Sequence, residues 1–191
     1  MIRELLGRAI DPDRALIGAM DVAIDAAAVR YALDLGGSHY VPGRPLKLLF
    51  AGYSGVRNTG SDLRVEEMIR QLRVVLGEDN VELSLLTIDP RRSAGYFRAV
   101  RQLELPSLFP KFLFEQCARH HGVVACEGSM FKSKFANALS TMMAGALGMA
   151  NAENKVSVGY GAEAGDMSPS LKRFVEKNCK NSLVLCRNEP S

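Results

Sequence analysis

Residues 46–88 close one complete unit of strand, helix and strand, and that unit sets the kind of fold the chain builds. The run Leu46-Lys47-Leu48-Leu49-Phe50-Ala51 stops at Gly52. Its lack of apolar–polar alternation predicts a parallel strand buried on both faces. A loop holding Gly52, Gly55 and Gly60 follows. From Ser61 onward Val65, Met68, Ile69, Leu72, Val75 and Leu76 share one helical face. Gly77 stops that helix, and residues 81–88 give a second strand ended by Asp89-Pro90. Parallel strands joined through a helix need a crossover, which is right-handed almost without exception. The chain is thereby committed to a parallel sheet with helices packed on it.

The remaining apolar runs extend the same pattern. Residues 122–126, 155–160 and 183–186 read as three further strands. A helix from about Ser133 places Phe135, Ala138, Leu139, Met142, Met143, Ala146 and Ala150 on one face, and Leu171, Phe174 and Val175 mark a short helix. Between residues 91 and 121 the spacing predicts two helices, one with Tyr96, Phe97, Val100 and Leu103, the other with Phe109, Phe112, Leu113, Phe114 and Cys117. Pro106 and Pro110 break the register between them. The expected fold is α/β, a doubly wound parallel sheet of five strands that is Rossmann-like over residues 46–191.

Residues 1–43 read as a helical leader. Asp11 is the expected N-cap, Pro12 the first helical residue, and Gly36-Gly37 the stop. Leu16, Met20, Ala23, Ile24, Ala27 and Tyr31 recur at helical spacing, and the small alanines suit close packing on the following domain or on another subunit. A homo-oligomer formed through this helix is one expectation. Pro42, Gly43 and Pro45 mark the boundary. The sequence ends directly after a strand, so a second, C-terminal domain is expected beyond residue 191.

Composition excludes several function classes. A length of 191 residues suits one core. A net charge of +3 without a Lys/Arg block argues against a nucleic-acid groove. No apolar run reaches the roughly 20 residues of a membrane span. Arg3, Glu4, Arg8, Asp11, Asp13 and Arg14 rule out a signal peptide, so a soluble cytoplasmic protein is expected. Cys117, Cys126, Cys179 and Cys186 form no C-x-x-C and have no histidine at metal-ligand spacing. They read as reduced thiols, Cys126 and Cys186 within buried strands, and no metal site is expected.

In such sheets ligands bind outside the carboxyl ends of the strands. Those exits are residues 52–60, 89–93, 127–131, 159–166 and 187–191. The first loop does not have the G-x-G-x-x-G spacing of a dinucleotide site. Gly60-Ser61-Asp62 lacks the lysine of a phosphate-cradling loop and sets a negative charge where phosphate would lie. Two readings stay open. In one the glycines and Asn58 only make a tight turn, with Asp62 complementing the helix dipole. In the other Ser54, Asn58 and Thr59 hydrogen-bond a polar ligand such as a sugar. Glu127 is an acid or base candidate, or a partner for Lys132 or Lys134. Ser129 lies in no G-x-S-x-G elbow. His39, His120 and His121 lie away from the exits and read as structural. Arg91, Arg92 and Arg187 lie at exits, where arginine can hold a carboxylate or phosphate.

The strand followed by Gly52-Tyr53-Ser54-Gly55-Val56-Arg57-Asn58-Thr59-Gly60-Ser61-Asp62 and a helix resembles the opening motif of the polysaccharide pyruvyl transferase family, with Ser61 either inserted before Asp62 or standing in the acidic position. Ala125-Cys126-Glu127-Gly128-Ser129 stands where that family carries a glycine turn. Ser157-Val158-Gly159-Tyr160-Gly161 and the stretch from Leu183 through Asn188 to Ser191 resemble its later strand-and-turn pair. The resemblance implies a two-domain, glycosyltransferase-B-like enzyme. Such an enzyme transfers pyruvate from phosphoenolpyruvate, its donor substrate, to two hydroxyls of a saccharide in cell-surface glycan synthesis, forming a cyclic ketal without a cofactor. It implies a cleft wall of Gly52, Ser54, Gly55, Asn58, Thr59, Asp62, Glu127, Gly128, Ser129, Glu163 and Arg187, with the catalytic base in the other half. A nucleotide-sugar-dependent glycosyltransferase and a non-catalytic assembly module are the alternatives.

Overall fold

A computed structural model describes residues 11–98, 100–133 and 137–187. Lys134 and Phe135, residues 1–10 and the 188–191 segment of the family-like motif lie outside the described residues.

The leader forms helix α1, Pro12–Ala32. The Asp11 side chain accepts the Asp13 N–H at 3.1 Å, and Pro12 loses no hydrogen bond in the first turn. The helix ends at Ala32, before the expected Gly36-Gly37 stop, because Leu33 already leaves helical geometry. Ile17, Met20, Ile24 and Ala27 face inward, whereas Tyr31 at the end of the predicted stripe is exposed. The inner face meets the later helix Asn137–Ala152 at two glycines. A Cβ on Gly145 would lie 2.5 Å from Met20 Cγ, and one on Gly148 would lie 2.9 Å from Ile24 Cδ1. The leader thus shares its core with the rest of the chain.

Strand β1 (Leu46–Ser54), helix α2 (Thr59–Leu76) and strand β2 (Val81–Thr87) form the first crossover, with Leu46 to Phe50 in parallel register with Val81 to Leu85. Strand β3 is Arg101–Glu104, paired with Ser84 to Thr87. This corrects the helix expected around Tyr96, Phe97, Val100 and Leu103, and makes the sheet six strands rather than five. The open edge of β2 offers backbone partners that a short helical repeat ahead of Pro106 does not outweigh. Phe97 turns the connecting segment with a left-handed φ of 51°, and its N–H donates to Glu66.

Helix α3 (Pro110–Arg119), strand β4 (Gly122–Ala125), helix α4 (Asn137–Ala152), strand β5 (Val156–Ala162), helix α5 (Pro169–Asn178) and strand β6 (Leu183–Cys186) follow. All pairings are parallel and the order is β3-β2-β1-β4-β5-β6. The sheet is Rossmann-like. Alternate residues of β1 enter different cores. Leu49 and Ala51 pack with α1, α3, α4 and α5, and Leu48 and Phe50 pack with α2. On the α2 side of the sheet Leu183 and Leu185 of β6 are exposed. Cys186 is also exposed, contrary to the buried position expected of it, because β6 is a short edge strand. No helix among the described residues is long and apolar enough to cross a membrane.

Candidate functional site

The chain leaves β1 toward β2 and β3, then returns to β4 on the other side of β1. Ligand crevices form at such a reversal, because the two loops leaving neighbouring strands diverge there. The reversal selects two strand exits, the loop after β1 and the turn after β4.

Strand β1 runs through Gly52 to Ser54 rather than stopping at Gly52 as expected, and close approach shapes both its end and the loop that follows. A Cβ on Gly52 would lie 2.7 Å from Cys126 Sγ. Gly55 has φ +83°, and a Cβ there would lie 2.0 Å from Thr87 Oγ1. Asn58 caps α2 through its side chain, accepting the Ser61 N–H at 3.5 Å. Its φ is −86°, and Arg57 with φ 60° takes the left-handed position in the turn.

The first turns of α2 point into the crevice. Ser61 Oγ donates to Glu127 Oε2 at 2.6 Å and lies 3.4 Å from the Tyr53 carbonyl. Arg64 Nη2 pairs with Glu127 Oε1 at 3.2 Å, and that oxygen also accepts the Gly128 N–H at 2.9 Å. Glu127 is therefore anchored by Ser61, Arg64 and its own turn. Of the alternatives open for Glu127, the pairing with Lys132 is not made, since Lys132 meets Glu163 at 2.5 Å, and Lys134 lies outside the described residues. The Glu163 N–H donates to the Gly128 carbonyl at 2.9 Å, so the turns after β4 and β5 are stitched together.

Two guanidinium groups converge on Gly128. A Cβ there would lie 3.1 Å from Arg64 Nη1 and 3.5 Å from Arg187 Nη1. Glycine at this position leaves room for both. Arg64 Nη1 is buried and has no hydrogen-bond partner among the described residues. Gly161, on β5, borders the same nitrogen at 3.7 Å from its would-be Cβ. A buried guanidinium N–H without an acceptor is costly, and an anionic group in the crevice would satisfy it.

Asp62 lies beneath this layer at 4% exposure. Burial pushes its carboxyl above the ordinary range, the Gly55 N–H opposes that, and the charges of Glu127 and Glu66 add to it. Its Oδ1 and the Ser54 Oγ are buried without partners among the described residues.

The structure thus gathers Asp62, Glu127, Gly128, Glu163 and Arg187 around one crevice. Asn58, the N-cap, and Thr59, the first residue of α2, are exposed; Ser54 is buried at the end of β1, Gly52 lies within β1, and Gly55 shapes the loop. The Ser129 carbonyl lies 3.4 Å from Ser140 Oγ, a contact that ties the β4 turn to α4. Arg91 and Arg92 pair with Asp89 at the β2 exit. His120 and His121 are buried, with His121 Nδ1 accepting the Lys47 N–H at 3.0 Å at the amino end of β1. Ser61 and Arg64 are the residues that sequence reasoning did not select. Their three-residue spacing on one helix face, just after a glycine loop, was the available signal. Among the described residues no group of three or more His, Cys, Asp or Glu side chains is arranged to hold a metal ion. Comparison of the chain with protein-family models, with curated proteins and with solved structures gives no match.

Proposed function

We propose that the crevice between β1 and β4 binds phosphoenolpyruvate, and that the chain is part of a pyruvyl transferase acting on saccharide hydroxyls. The observation that carries this reading is the approach of Arg64 and Arg187 to Gly128, with Arg64 Nη1 lacking an acceptor among the described residues. Two guanidiniums suit a donor that carries both a carboxylate and a phosphate. The resemblance of residues 52–62 to the opening motif of the pyruvyl transferase family points to the same donor.

On this reading Arg64 and Arg187 hold the anionic groups, and Glu127 fixes the Arg64 head. A proton is added to C3 of the donor, one sugar hydroxyl attacks C2, phosphate leaves, and a second hydroxyl closes the ketal. Both hydroxyl protons are released. One balances the proton gained at C3 and the other leaves with phosphate. The resemblance assigns the base to a second domain, and no residue of this chain is given that role. The protein then acts in the cytoplasm, where phosphoenolpyruvate is made, on a cell-surface glycan or its precursor.

Phosphate release from phosphoenolpyruvate by the full-length protein, with a panel of saccharides bearing neighbouring hydroxyls, tests the reading. Release that requires a saccharide, and is lost in Arg64→Gln, supports it. No release with any acceptor while the fold stays intact, or tight binding of a nucleoside diphosphate without phosphoenolpyruvate turnover, overturns it.

A further inference from the structure

We propose that the outer face of α1 is a dimer interface, and that its partner is the α1 of a second copy of this chain, packed antiparallel about a two-fold axis. The inference is independent of the crevice between β1 and β4.

Helix α1 packs on α3, α4 and α5, so it lies outside the helix layer that covers the sheet. A helix with one face on a core ordinarily shows charged residues on the other. The charges of α1 are instead turned to its own chain. Asp13 accepts a hydrogen bond from Asn137, Asp21 meets Lys177 at 2.9 Å, Arg30 pairs with Glu153, and Arg14 meets Asp11 at 3.5 Å. Facing outward are Ala15, Ala19, Val22, Ala26, Val29 and, at the C-cap, Leu33, with Asp25 beside them. Val22 is 69% exposed, Val29 53% and Leu33 63%, so the helix carries an apolar seam on each side and buries one of them.

The outer seam repeats at alternating steps of four and three residues from Ala15 to Leu33. That is the heptad spacing with which one helix keeps a seam against another. A lipid surface calls for bulky apolar and basic residues, and this face has three alanines, no lysine and an aspartate. The order of side-chain sizes then points to a second copy. Two chains related by a two-fold axis near Ile24 set Ala15 of one opposite Leu33 of the other, Ala19 opposite Val29, and Val22 opposite Ala26. Each layer joins a small residue to a larger one, and the symmetry makes every such layer twice. A parallel pair would stack alanine on alanine in three layers and leave gaps there. The antiparallel pair also sets the first turn of one helix, with Arg14, beside the end of the other, with Asp34, and aligns the helix dipoles favourably. Asp25 faces its own copy across the axis, a repulsion offset by Lys177, whose ammonium interacts with both Asp21 and Asp25.

Sedimentation equilibrium of the chain tests this, and we expect a monomer–dimer equilibrium. Val22→Lys should weaken the dimer at least tenfold. Leu185→Lys, on the sheet face away from α1, should leave it unchanged. Ala26→Val should weaken it by crowding the layer shared with Val22. Val22→Ala combined with Ala26→Val exchanges small for large within that layer and should restore association. These positions are exposed, so unchanged melting temperatures of the monomers confirm that the fold is kept. Spin labels on Ala15→Cys, in a Cys186→Ser background, should lie about 27 Å apart along the axis, the rise of the helix from Ala15 to Leu33. A monomer at every attainable concentration, a dimer kept in Val22→Lys, no recovery in the double variant, or labels at contact distance each overturns the proposal.

Discussion

Arg64 on the helix after the first strand and Glu127 at the exit of the fourth meet at 3.2 Å, so the pair spans the point where the sheet reverses its order. Ser61 and the Gly128 N–H occupy other acceptor positions of the same carboxylate. The arginine is thereby fixed with one nitrogen directed at Gly128.

Replacing Arg64 by glutamine should weaken phosphoenolpyruvate binding by tenfold or more. A hydrogen bond to a charged group contributes about 1.5–3 kcal/mol. The melting temperature should fall as well, because the largely buried Glu127 loses its cation. Parallel titration calorimetry and thermal unfolding separate the two effects. A variant that binds the donor as tightly as the wild type would remove Arg64 from the site.

Asp62 gives a pH dependence whose sign is fixed by the direction of its shift. Its carboxyl is raised in the folded state, chiefly by burial. The folded chain therefore holds this proton more tightly than the unfolded chain. Stability contributed by the protonated form is present below the unfolded value of 3.8 and is lost as pH rises through the raised folded value. Asp62→Asn should abolish that loss and be at least as stable as the wild type at pH 7. Denaturant unfolding from pH 3 to 7 measures it, and an unchanged slope in the variant would contradict the assignment.

Gly145 sets how closely the leader helix approaches α4. Gly145→Ala should destabilise the fold by about 1–3 kcal/mol through overpacking against Met20. Met20→Ala combined with Gly145→Ala should be less destabilised than the sum of the single variants, since the truncated side chain makes room. Urea unfolding of the double-mutant cycle reads this coupling. Strict additivity would mean the two helices separate rather than collide.

Glu153 holds the end of the leader against the amino ends of the strands. It pairs with Arg30, and with Lys155 at 2.6 Å, all three side chains being largely buried. Glu153→Ala leaves two buried cations without their acid and should cost about 3–5 kcal/mol. Unfolding monitored by circular dichroism checks the loss. Amide exchange in residues 12–32 should rise selectively if the leader is released first.

Much of the fold is readable locally. The unbroken apolar run of β1, the inward Val65, Met68 and Ile69 of α2, the Asp11 cap before Pro12 and the stop at Gly77 are short-range signals that stand where the periodicity puts them. By contrast, β1 runs on through Gly52 to Ser54, α2 begins at Thr59 rather than Ser61, and Val75 and Leu76 of the expected face are exposed. The edge strand Arg101–Glu104 is not readable in this way. It has four residues, two of them charged, and its regularity comes from hydrogen bonds to β2 rather than from its own side chains. The exposure of Cys186 is not readable locally either, since an apolar run carries no mark of whether its strand is central or at an edge.

The candidate site divides along the same line. The sequence by itself determined which segments become strands and helices, that the sheet is parallel, and that polar residues and glycines gather where strands end. Those features follow from backbone geometry and side-chain periodicity within a dozen residues. Only the tertiary structure decided that β4 lies beside β1 and that Arg64 rather than Lys132 meets Glu127. It alone brings Arg64 and Arg187 together over Gly128. Strand order depends on how helices far apart in sequence pack on the two faces. A guanidinium finds its partner through that packing, which local periodicity does not encode.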